Sequence, residues 1–213
     1  KVVVKSIHSE YLDKENISKQ LFQLDGIIVA PGFGQRGLDG KILAVEHARV
    51  NKIPFLGICL GMQMAVIEYA RNVKKMRYAN STEISEKCKD PVIDLMTSQK
   101  EIINKGGTMR LGAWDCELEK NTKSYKSYKK KLISERHRHR YEFNNNYTDK
   151  IFDDKFIIAG SNPDTKLVEI VENIDHPWFV GVQFHPEYKS SVYNPHPIFV
   201  NFVKASLKNY LNK

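Results

Sequence analysis

Cys59 is the residue whose setting most clearly favours chemistry, because the segment Gly57-Ile-Cys-Leu-Gly61 places a thiol between an apolar run and a helical pattern. A strand, a nucleophile flanked by glycines and a helix form a nucleophile elbow, a sharp turn that side chains at the glycine positions would obstruct. A helix N-terminus favours negative charge, so we expect a lowered thiol pKa at Cys59. Cys88 and Cys116 lack this setting, and we interpret them as structural.

Backbone N–H groups around this turn could stabilise an oxyanion. The N–H of Leu60 directly follows the nucleophile, and a second donor is expected from the glycine-rich segment Pro31-Gly-Phe-Gly-Gln-Arg-Gly37, which ends a neighbouring apolar run. Pro31 has no N–H, so this donor must be Gly32 or a later residue. Losing one such donor typically slows a reaction about a hundredfold or more.

A base for the thiol is predicted at His185, which ends the apolar run Phe179–Phe184 and is followed by Pro186 and Glu187. Residues i and i+2 of an extended chain project to the same side, so the Glu187 carboxylate can accept the ring proton of His185. Either residue alone is ordinary at the end of a strand. Together with the elbow they predict a nucleophile, a base and an orienting carboxylate.

Alternating strands and helices position these groups and indicate an α/β fold. The first half predicts strands at Val2–Ile7, Gly26–Ala30 and Ile53–Ile58, and helices at about 14–24, about 41–51 and from Cys59 to about Arg71. Further strands, some of them antiparallel, are predicted at Thr108–Leu118 with a bend at Gly112, Phe156–Gly160, Lys166–Val171 and Trp178–Phe184. Apolar residues at helical spacing from Ile198 to Leu211 predict a final amphipathic helix.

Length and composition limit the classes of protein. The 213 residues, 41% of them apolar, contain no repeat and no linker, so we expect one soluble domain over residues 1–213. No apolar run approaches the roughly 18 residues of a membrane span, and no membrane partner is expected. Three widely spaced cysteines without a CxxC pair predict no metal site and favour a reducing, cytoplasmic setting.

The net charge of +8 leaves a second class of function open. We interpret the basic run Lys123–Lys131 as a solvated loop. The run Arg136–Arg140 alternates, which predicts an extended segment with its arginines on one face and His137 and His139 on the other. A basic nucleic-acid-binding module with an incidental cysteine would show salt-sensitive binding of RNA or DNA.

Two motifs favour an enzyme over a nucleic-acid-binding module. Gly57-Ile-Cys-Leu-Gly-Met-Gln63 and Gln183-Phe-His-Pro-Glu187 resemble the class I (triad) glutamine amidotransferases. Five more are similar, in order, to the glutaminase domains of the CTP synthase family: Pro31–Gly37, Asn80-Ser-Thr-Glu83, Gly107-Thr-Met-Arg-Leu-Gly112, Glu135-Arg-His-Arg-His-Arg-Tyr-Glu142 and His176-Pro-Trp-Phe179. The chain departs from the family at Ala30-Pro-Gly-Phe-Gly34, where Pro-Gly-Gly-Phe-Gly is frequent.

The resemblance implies a central, mostly parallel but mixed sheet flanked by helices, with Cys59, His185 and Glu187 as the catalytic triad. It implies that Glu83 holds the ammonium of L-glutamine and that the Arg140 region holds its carboxylate. The other implied glutamine contacts are Gly32, Leu60, Gly61, Met62 and Gln63. The glutaminase domain of another amidotransferase is the nearest alternative.

For the whole enzyme, the resemblance implies an N-terminal synthase domain that aminates UTP to CTP with the released ammonia. That reaction would use ATP and Mg²⁺ with GTP as activator, in a homotetramer, whereas the glutaminase domain itself would need no cofactor and no nucleic acid. We expect this chain to lack the synthase domain and the first strand–helix unit of the glutaminase domain. The Arg136–Arg140 segment is expected at the interface with the synthase domain.

Overall fold

The computed structural model describes residues 1–95 and 109–213, and we label its α-helices and strands in chain order. The first part contains a 3₁₀ turn (Ser9–Tyr11), α1 (Ile17–Gln20), β1 (Ile27–Val29), α2 (Leu38–Val50), β2 (Phe55–Ile58), α3 (Leu60–Asn72), β3 (Ala79–Ser81) and β4 (Asp90–Leu95). The second part contains β5 (Arg110–Leu118), α4 (Lys123–Tyr128), β6 (Leu132–His139), β7 (Tyr141–Phe143), a 3₁₀ turn (Asn145–Tyr147), α5 (Thr148–Ile151), β8 (Phe156–Ser161), β9 (Val168–Asn173), β10 (Phe179–Val182), a 3₁₀ turn (Pro186–Lys189) and α6 (Pro197–Leu211).

The main sheet has seven strands in the order β1-β2-β10-β9-β8-β5-β6. Strands β1, β2 and β10 are parallel to one another, and the remaining pairings are antiparallel. A second sheet has three strands in the order β3-β4-β7. The predicted α/β fold with a mixed sheet is confirmed. The expectation that the sheet is mostly parallel is wrong, because among the described residues two of the six pairings in the main sheet, those that join β1, β2 and β10, are parallel and four are antiparallel.

Strands β2 and β10 of the main sheet are buried on both faces, which explains their continuous apolar runs. Phe55 and Phe179 stack at 4.4 Å between ring centroids in the cluster that includes α2 and α3. Their chain neighbours Leu56 and Val180 belong to the opposite cluster, which includes α6. Successive side chains of β2 and β10 therefore anchor helices on opposite faces of the sheet.

Two predictions for the N-terminal region are wrong. Val2–Ile7 forms no strand, because it pairs with no strand of the two described sheets and its valines are exposed. The helix expected at about 14–24 is reduced to α1. The Asp13 side chain accepts the backbone N–H groups of Glu15 and Asn16 at 2.9 and 2.8 Å, as a helix N-cap does, so the expected start is supported. The chain leaves the helical conformation by Gln23, whose φ of 60° is left-handed, and the helix is therefore short.

The later elements agree with the predictions more closely. Strand β5 passes through Gly112, whose φ of 84° lies in the left-handed region that glycine adopts easily. Gly107 and Thr108, the start of the predicted motif and strand, lie outside the described residues. Helix α6 is confirmed, although Ile198 and Phe202 are its buried members. None of the helices in the two described ranges has the length and apolar character needed to cross a membrane.

Candidate active site

Cys59 lies at a nucleophile elbow between β2 and α3, as predicted. Its backbone is strained, with φ 51° and ψ −104°. A Cβ at Gly57 would lie 2.6 Å from the carbonyl oxygen of Gly61, and a Cβ at Gly61 would collide with the carbonyl oxygen of Val29. Both glycines are therefore needed for the close approach of α3 to the strands, and this approach fixes the turn that presents the sulfur.

The predicted lowering of the thiol pKa at Cys59 is wrong in this structure. Burial raises the pKa to about 12, and the carboxylates of Glu187 and Glu83 add to the increase. The backbone N–H of Leu60 and the side-chain amide of Gln183 oppose it. Desolvation of a nearly covered thiolate outweighs the helix N-terminus, so the resting site holds the thiol and needs a base to remove its proton.

His185 and Glu187 form a close pair at the end of β10. Nδ1 of His185 lies 2.6 Å from Oε1 of Glu187, and the imidazole ring stacks on Tyr188 at 4.9 Å between centroids. Burial would raise the pKa of Glu187, but the hydrogen bond from His185, a backbone hydrogen bond and the charges of His185 and His196 together lower the pKa. The ring is thus held through Nδ1, while Nε2 of His185 is buried and has no hydrogen-bond partner within residues 1–95 and 109–213.

The sheet brings this pair to the elbow. Strands β2 and β10 are parallel, with Ile58 opposite Val182, and the N–H of Cys59 donates to the carbonyl oxygen of Val182 at 2.8 Å. The carboxyl ends of parallel neighbours meet at one edge of a sheet, so Cys59 and His185 leave their strands at the same edge. The electrostatic effect of Glu187 on the Cys59 thiol reflects this proximity.

The glycine-rich loop at 31–37 lies over the start of α3. Gly32 is next to Leu60, because a Cβ at Gly32 would lie 3.3 Å from Cδ2 of Leu60. The N–H of Gly34 is already engaged, since it donates to Oε1 of Glu83 at 2.9 Å. Gln35 also binds the carbonyl oxygen of Ile84 through its side-chain amide at 2.8 Å. Two hydrogen bonds thus tie the loop to the segment that carries Glu83.

The turn residues predicted to contact glutamine do not all face the site. The N–H groups of Met62 and Gln63 donate to the carbonyl oxygen of Cys59 at 3.1 and 3.2 Å, whereas those of Leu60 and Gly61 belong to the part of the first turn that has no helical partner. The Met62 side chain packs in the core against Gly181. Met62 therefore offers glutamine neither its side chain nor its N–H, and the structure does not bring it into the site.

Glu83 and Arg140 are the two charged residues predicted to bind the ends of glutamine. Glu83 follows β3, is half-buried, and contributes to the raised pKa of both Cys59 and Tyr141. Arg140 lies between β6 and β7, and its Nε is buried without a partner in the described parts of the chain. The Glu83 carboxylate is thus close enough to the elbow to affect the Cys59 thiol, whereas Arg140 is connected to the elbow helix through its neighbour Tyr141, whose carbonyl oxygen accepts from Gln63.

One functional candidate was missed from the sequence. The side-chain amide of Gln183 donates from Nε2 to Sγ of Cys59 at 3.7 Å, and Gln183 is fully buried. The signal was present in the motif Gln183–Glu187, because Gln183 and His185 are related by the same i, i+2 alternation that predicts the pairing of His185 with Glu187.

The alternation predicted for Arg136–Arg140 is confirmed along β6. Arg136 and Arg138 are exposed, while His137 and His139 are buried with 2.8 Å between Nδ1 and Nε2. Burial, followed by the charge of Arg110, lowers the pKa of His137 to about 2 and of His139 to about 3. Both imidazoles are therefore neutral at pH 7, and the positive charge of this strand lies on its outer face.

Near these histidines, Arg110 forms ion pairs with two buried carboxylates. Its guanidinium lies 3.3 Å from Oε2 of Glu142 and 2.6 Å from Oε1 of Glu169. Burial raises the pKa of each carboxyl group to about 7, and Arg110 opposes the increase. Arg110 and Glu142, two charged residues of the predicted motifs, are therefore buried and paired within the protein. Their sequence pattern alone did not predict this burial.

A family model described as glutamine amidotransferase class-I matches residues 1–205. Together with the elbow and the His185–Glu187 pair, this match shows that the chain belongs to the class-I glutamine amidotransferase family. Within that family, the chain matches the glutaminase domain of CTP synthase. The CTP synthase of Flavobacterium johnsoniae is 59% identical over 207 residues, which are 97% of this chain and 38% of that protein.

Solved structures agree with this placement. The CTPS glutaminase domain of Trypanosoma brucei, solved with bound acivicin, superimposes with a TM-score of 0.91 at 38% identity, covering 98% of this chain and 81% of that one. A protein from Thermoplasma acidophilum, described as a putative GMP synthase subunit, has a TM-score of 0.61 at 20% identity. That match covers 90% of this chain and 77% of the other, and the likeness concerns the fold alone.

Proposed function

We propose that this domain hydrolyses L-glutamine to glutamate and ammonia through a glutamyl thioester on Cys59. The observation that carries the proposal is the strained elbow at Cys59 beside a His185–Glu187 pair whose Nδ1–Oε1 distance is 2.6 Å. A thiol, a neighbouring imidazole that can take its proton and an orienting carboxylate are the components of nucleophilic catalysis by cysteine.

In the proposed first half-reaction, Nε2 of His185 takes the proton of the Cys59 thiol as the sulfur attacks the side-chain carbon of glutamine. Glu187 stabilises the imidazolium through Nδ1. The N–H of Leu60 and a donor of the 31–37 loop, for which we favour Gly32, bind the oxyanion. His185 then gives its proton to the leaving nitrogen as the C–N bond breaks, and ammonia departs.

In the proposed second half-reaction, His185 removes a proton from water, which attacks the thioester carbon. The C–S bond breaks, glutamate is released and Cys59 regains its proton. Glutamine would be held by opposite charges at its zwitterionic end, with Glu83 binding the ammonium and Arg140 the carboxylate. The N–H of Gly61 and the side-chain oxygen of Gln63 remain suited to further contacts.

The relatives extend the proposal to the whole protein. The chain spans 38% of the length of the CTP synthase from Flavobacterium johnsoniae. We therefore propose that the ammonia serves a synthase domain that aminates UTP to CTP with ATP and Mg²⁺, activated by GTP, in a cytoplasmic homotetramer. Strands β5 and β6 and Tyr188, which neighbours His185, form a groove of about 510 Å³. We propose that the synthase domain contacts the surface around this groove.

The glutaminase proposal is tested with 6-diazo-5-oxo-norleucine, a glutamine analogue that alkylates nucleophiles. Mass spectrometry should find the adduct on Cys59, and ammonia release by Cys59→Ala should fall about a thousandfold or more, as is typical when an enzyme loses its nucleophile. Cys88→Ala is the matched control and should keep both properties. Labelling of Cys88 or Cys116 instead, or ammonia release retained by Cys59→Ala, would reject the proposed mechanism.

A further inference from the structure

Two buried glutamines form a hydrogen-bonded series that ends on the sulfur of Cys59. The amide nitrogen of Gln63 donates to the carbonyl oxygen of Tyr141 at 2.8 Å and to Oε1 of Gln183 at 3.3 Å. The amide nitrogen of Gln183 in turn donates to Sγ of Cys59 at 3.7 Å, within the longer range of sulfur hydrogen bonds. Gln183 and Gln63 are 0% and 3% exposed, so water does not compete for these groups.

The fold holds both amides firmly. Gln183 follows β10 directly, and its backbone N–H donates to the carbonyl oxygen of Glu169 at 2.8 Å. Phe184 points into the core on one side of the chain, so Gln183 and His185 project together on the other. Gln63 is anchored in the first turn of α3, one helical turn beyond the nucleophile.

The direction of the series matters for chemistry. An amide can present either its oxygen or its NH₂ group to a neighbour, and only the NH₂ group stabilises a thiolate. The carbonyl oxygen of Tyr141 can only accept, so it fixes the NH₂ group of Gln63. That group then fixes the oxygen of Gln183, and the NH₂ group of Gln183 is left facing Cys59.

We propose that Gln183 is a further catalytic residue, which stabilises the Cys59 thiolate by donating an N–H to the reacting sulfur, and that Gln63 is the positioning residue that orients it. The inference rests on the proposed glutaminase function. It explains how a sulfur surrounded by apolar groups and by two carboxylates can carry negative charge during attack. Tyr141 adjoins Arg140, so the series also links the sulfur to the segment proposed to bind the substrate carboxylate.

The test compares the pH dependence of Cys59 alkylation by iodoacetamide and of glutamine hydrolysis. Gln183→Met keeps the side-chain length without a donor, and Gln183→Glu keeps the shape but replaces the donor with a carboxylate oxygen. Gln20→Met, at an exposed position on α1, is the control for the same chemical change. The other ionisable groups around the sulfur stay in place in every variant: His185, Glu187, Glu83 on the β3–β4 connection and Lys41 on α2.

For Gln183→Met we expect the pH–rate profile to move to higher pH by about one unit, which makes alkylation about tenfold slower at a given pH. Gln183→Glu should move it further. The kcat for glutamine should fall with the alkylation rate while KM changes less than about twofold, because the contact is to the nucleophile and not to the substrate. Gln20→Met should match the wild type.

Gln63→Met should move the profile in the same direction by a smaller amount. Combining it with Gln183→Met should add nothing, because the role of Gln63 passes through Gln183. A purely structural role would lower the thermal stability of the variants and leave the profile unmoved. If the Met variant at position 183 does not fold, the isosteric Glu variant decides, and if neither folds, Gln63→Met decides.

A profile of Gln183→Met that superimposes on that of the wild type, or a Gln183→Glu variant that reacts faster than Gln183→Met, would overturn the inference. These failures are distinguishable from failure of the glutaminase proposal. Without labelling of wild-type Cys59 by 6-diazo-5-oxo-norleucine, the glutaminase proposal itself fails. With that labelling and unmoved profiles, only the role of Gln183 is rejected.

Discussion

The conformation of Cys59 stores free energy at the position where reactivity is needed. A residue other than glycine with φ 51° and ψ −104° lies outside the favoured regions, at a cost of about 1–3 kcal/mol. The surrounding contacts maintain it, since its N–H binds Val182 and α3 packs closely on Val29 through Gly61. With burial raising the thiol pKa as well, the reactivity of this sulfur depends on its neighbours.

The close packing at Gly61 gives a prediction at this scale. In Gly61→Ala, the new methyl group would collide with the carbonyl oxygen of Val29, and α3 would have to move away from β1. We expect the free energy of unfolding in urea to fall by about 3 kcal/mol, as in other overpacked sites. Because the Leu60 N–H moves with the helix, ammonia release should fall about a hundredfold.

Gly112→Ala is the matched control for Gly61→Ala. Gly112 has open space around it, and only its φ of 84° disfavours a side chain, which costs about 1 kcal/mol. Its ammonia release should be that of the wild type. Wild-type activity in Gly61→Ala would show that the elbow does not depend on this contact.

The sequence pattern was sufficient to predict contacts between site residues that are close together in the chain. The spacing of His185 and Glu187 predicts their contact because extended geometry fixes the directions of residues i and i+2. The thiol pKa could not be predicted in the same way. Its direction depends on burial and on Glu83 and Glu187, which the fold brings from distant parts of the chain.

At the scale of elements, α3 follows the nucleophile and is fixed to α2 by an ion pair whose carboxylate is buried and whose guanidinium is partly exposed. The guanidinium of Arg49 binds both carboxylate oxygens of Glu68, from Nε at 2.8 Å and from Nη2 at 2.6 Å. Asn72 donates to the same carboxylate at 3.0 Å. This hydrogen bonding raises the pKa of Arg49, and it satisfies Glu68, which is fully buried.

Removing one partner of this pair should therefore cost more than removing both. Arg49→Ala leaves the Glu68 carboxylate buried without its cation, and we expect the free energy of unfolding to fall by about 3–5 kcal/mol. The double variant with Arg49→Leu and Glu68→Leu should lose less, because no charge stays buried. Urea unfolding of the three proteins tests this, and a double variant as unstable as Arg49→Ala would contradict it.

A helix or strand could be predicted where its own residues determine it, and was missed where it depends on a distant partner strand. Strands β2 and β10 and helix α3 are buried on all sides, so their continuous apolar sequences locate them closely. Val2–Ile7 has a strand-like sequence, but a strand needs a hydrogen-bonded neighbour, and neither described sheet provides one. Composition alone carries no information on that neighbour.

At the scale of the whole molecule, the site joins the two sheets. Cys59 and the Gln183–Glu187 segment leave the main sheet, whereas Glu83 follows β3 of the second sheet. Arg140 stands where the chain passes from β6 of the main sheet to β7 of the second. Glutamine bound between Glu83 and the elbow would therefore bridge the sheets, which gives the smaller sheet its place in the proposed function.

Glu83 provides the test of this bridging role, because it also accepts the N–H of Gly34 at 2.9 Å. If its carboxylate binds the substrate ammonium, Glu83→Gln should lower kcat/KM for glutamine about tenfold to a hundredfold, the usual range for a hydrogen bond to a charged group. Glutaramate, which lacks the ammonium, should be a poor substrate of both proteins and show no further loss in the variant. Glu86→Gln removes the same charge from an exposed position and should behave as the wild type. Equal losses on glutamine and glutaramate would instead assign Glu83 to holding the 31–37 loop, because a misplaced oxyanion donor impairs both substrates alike.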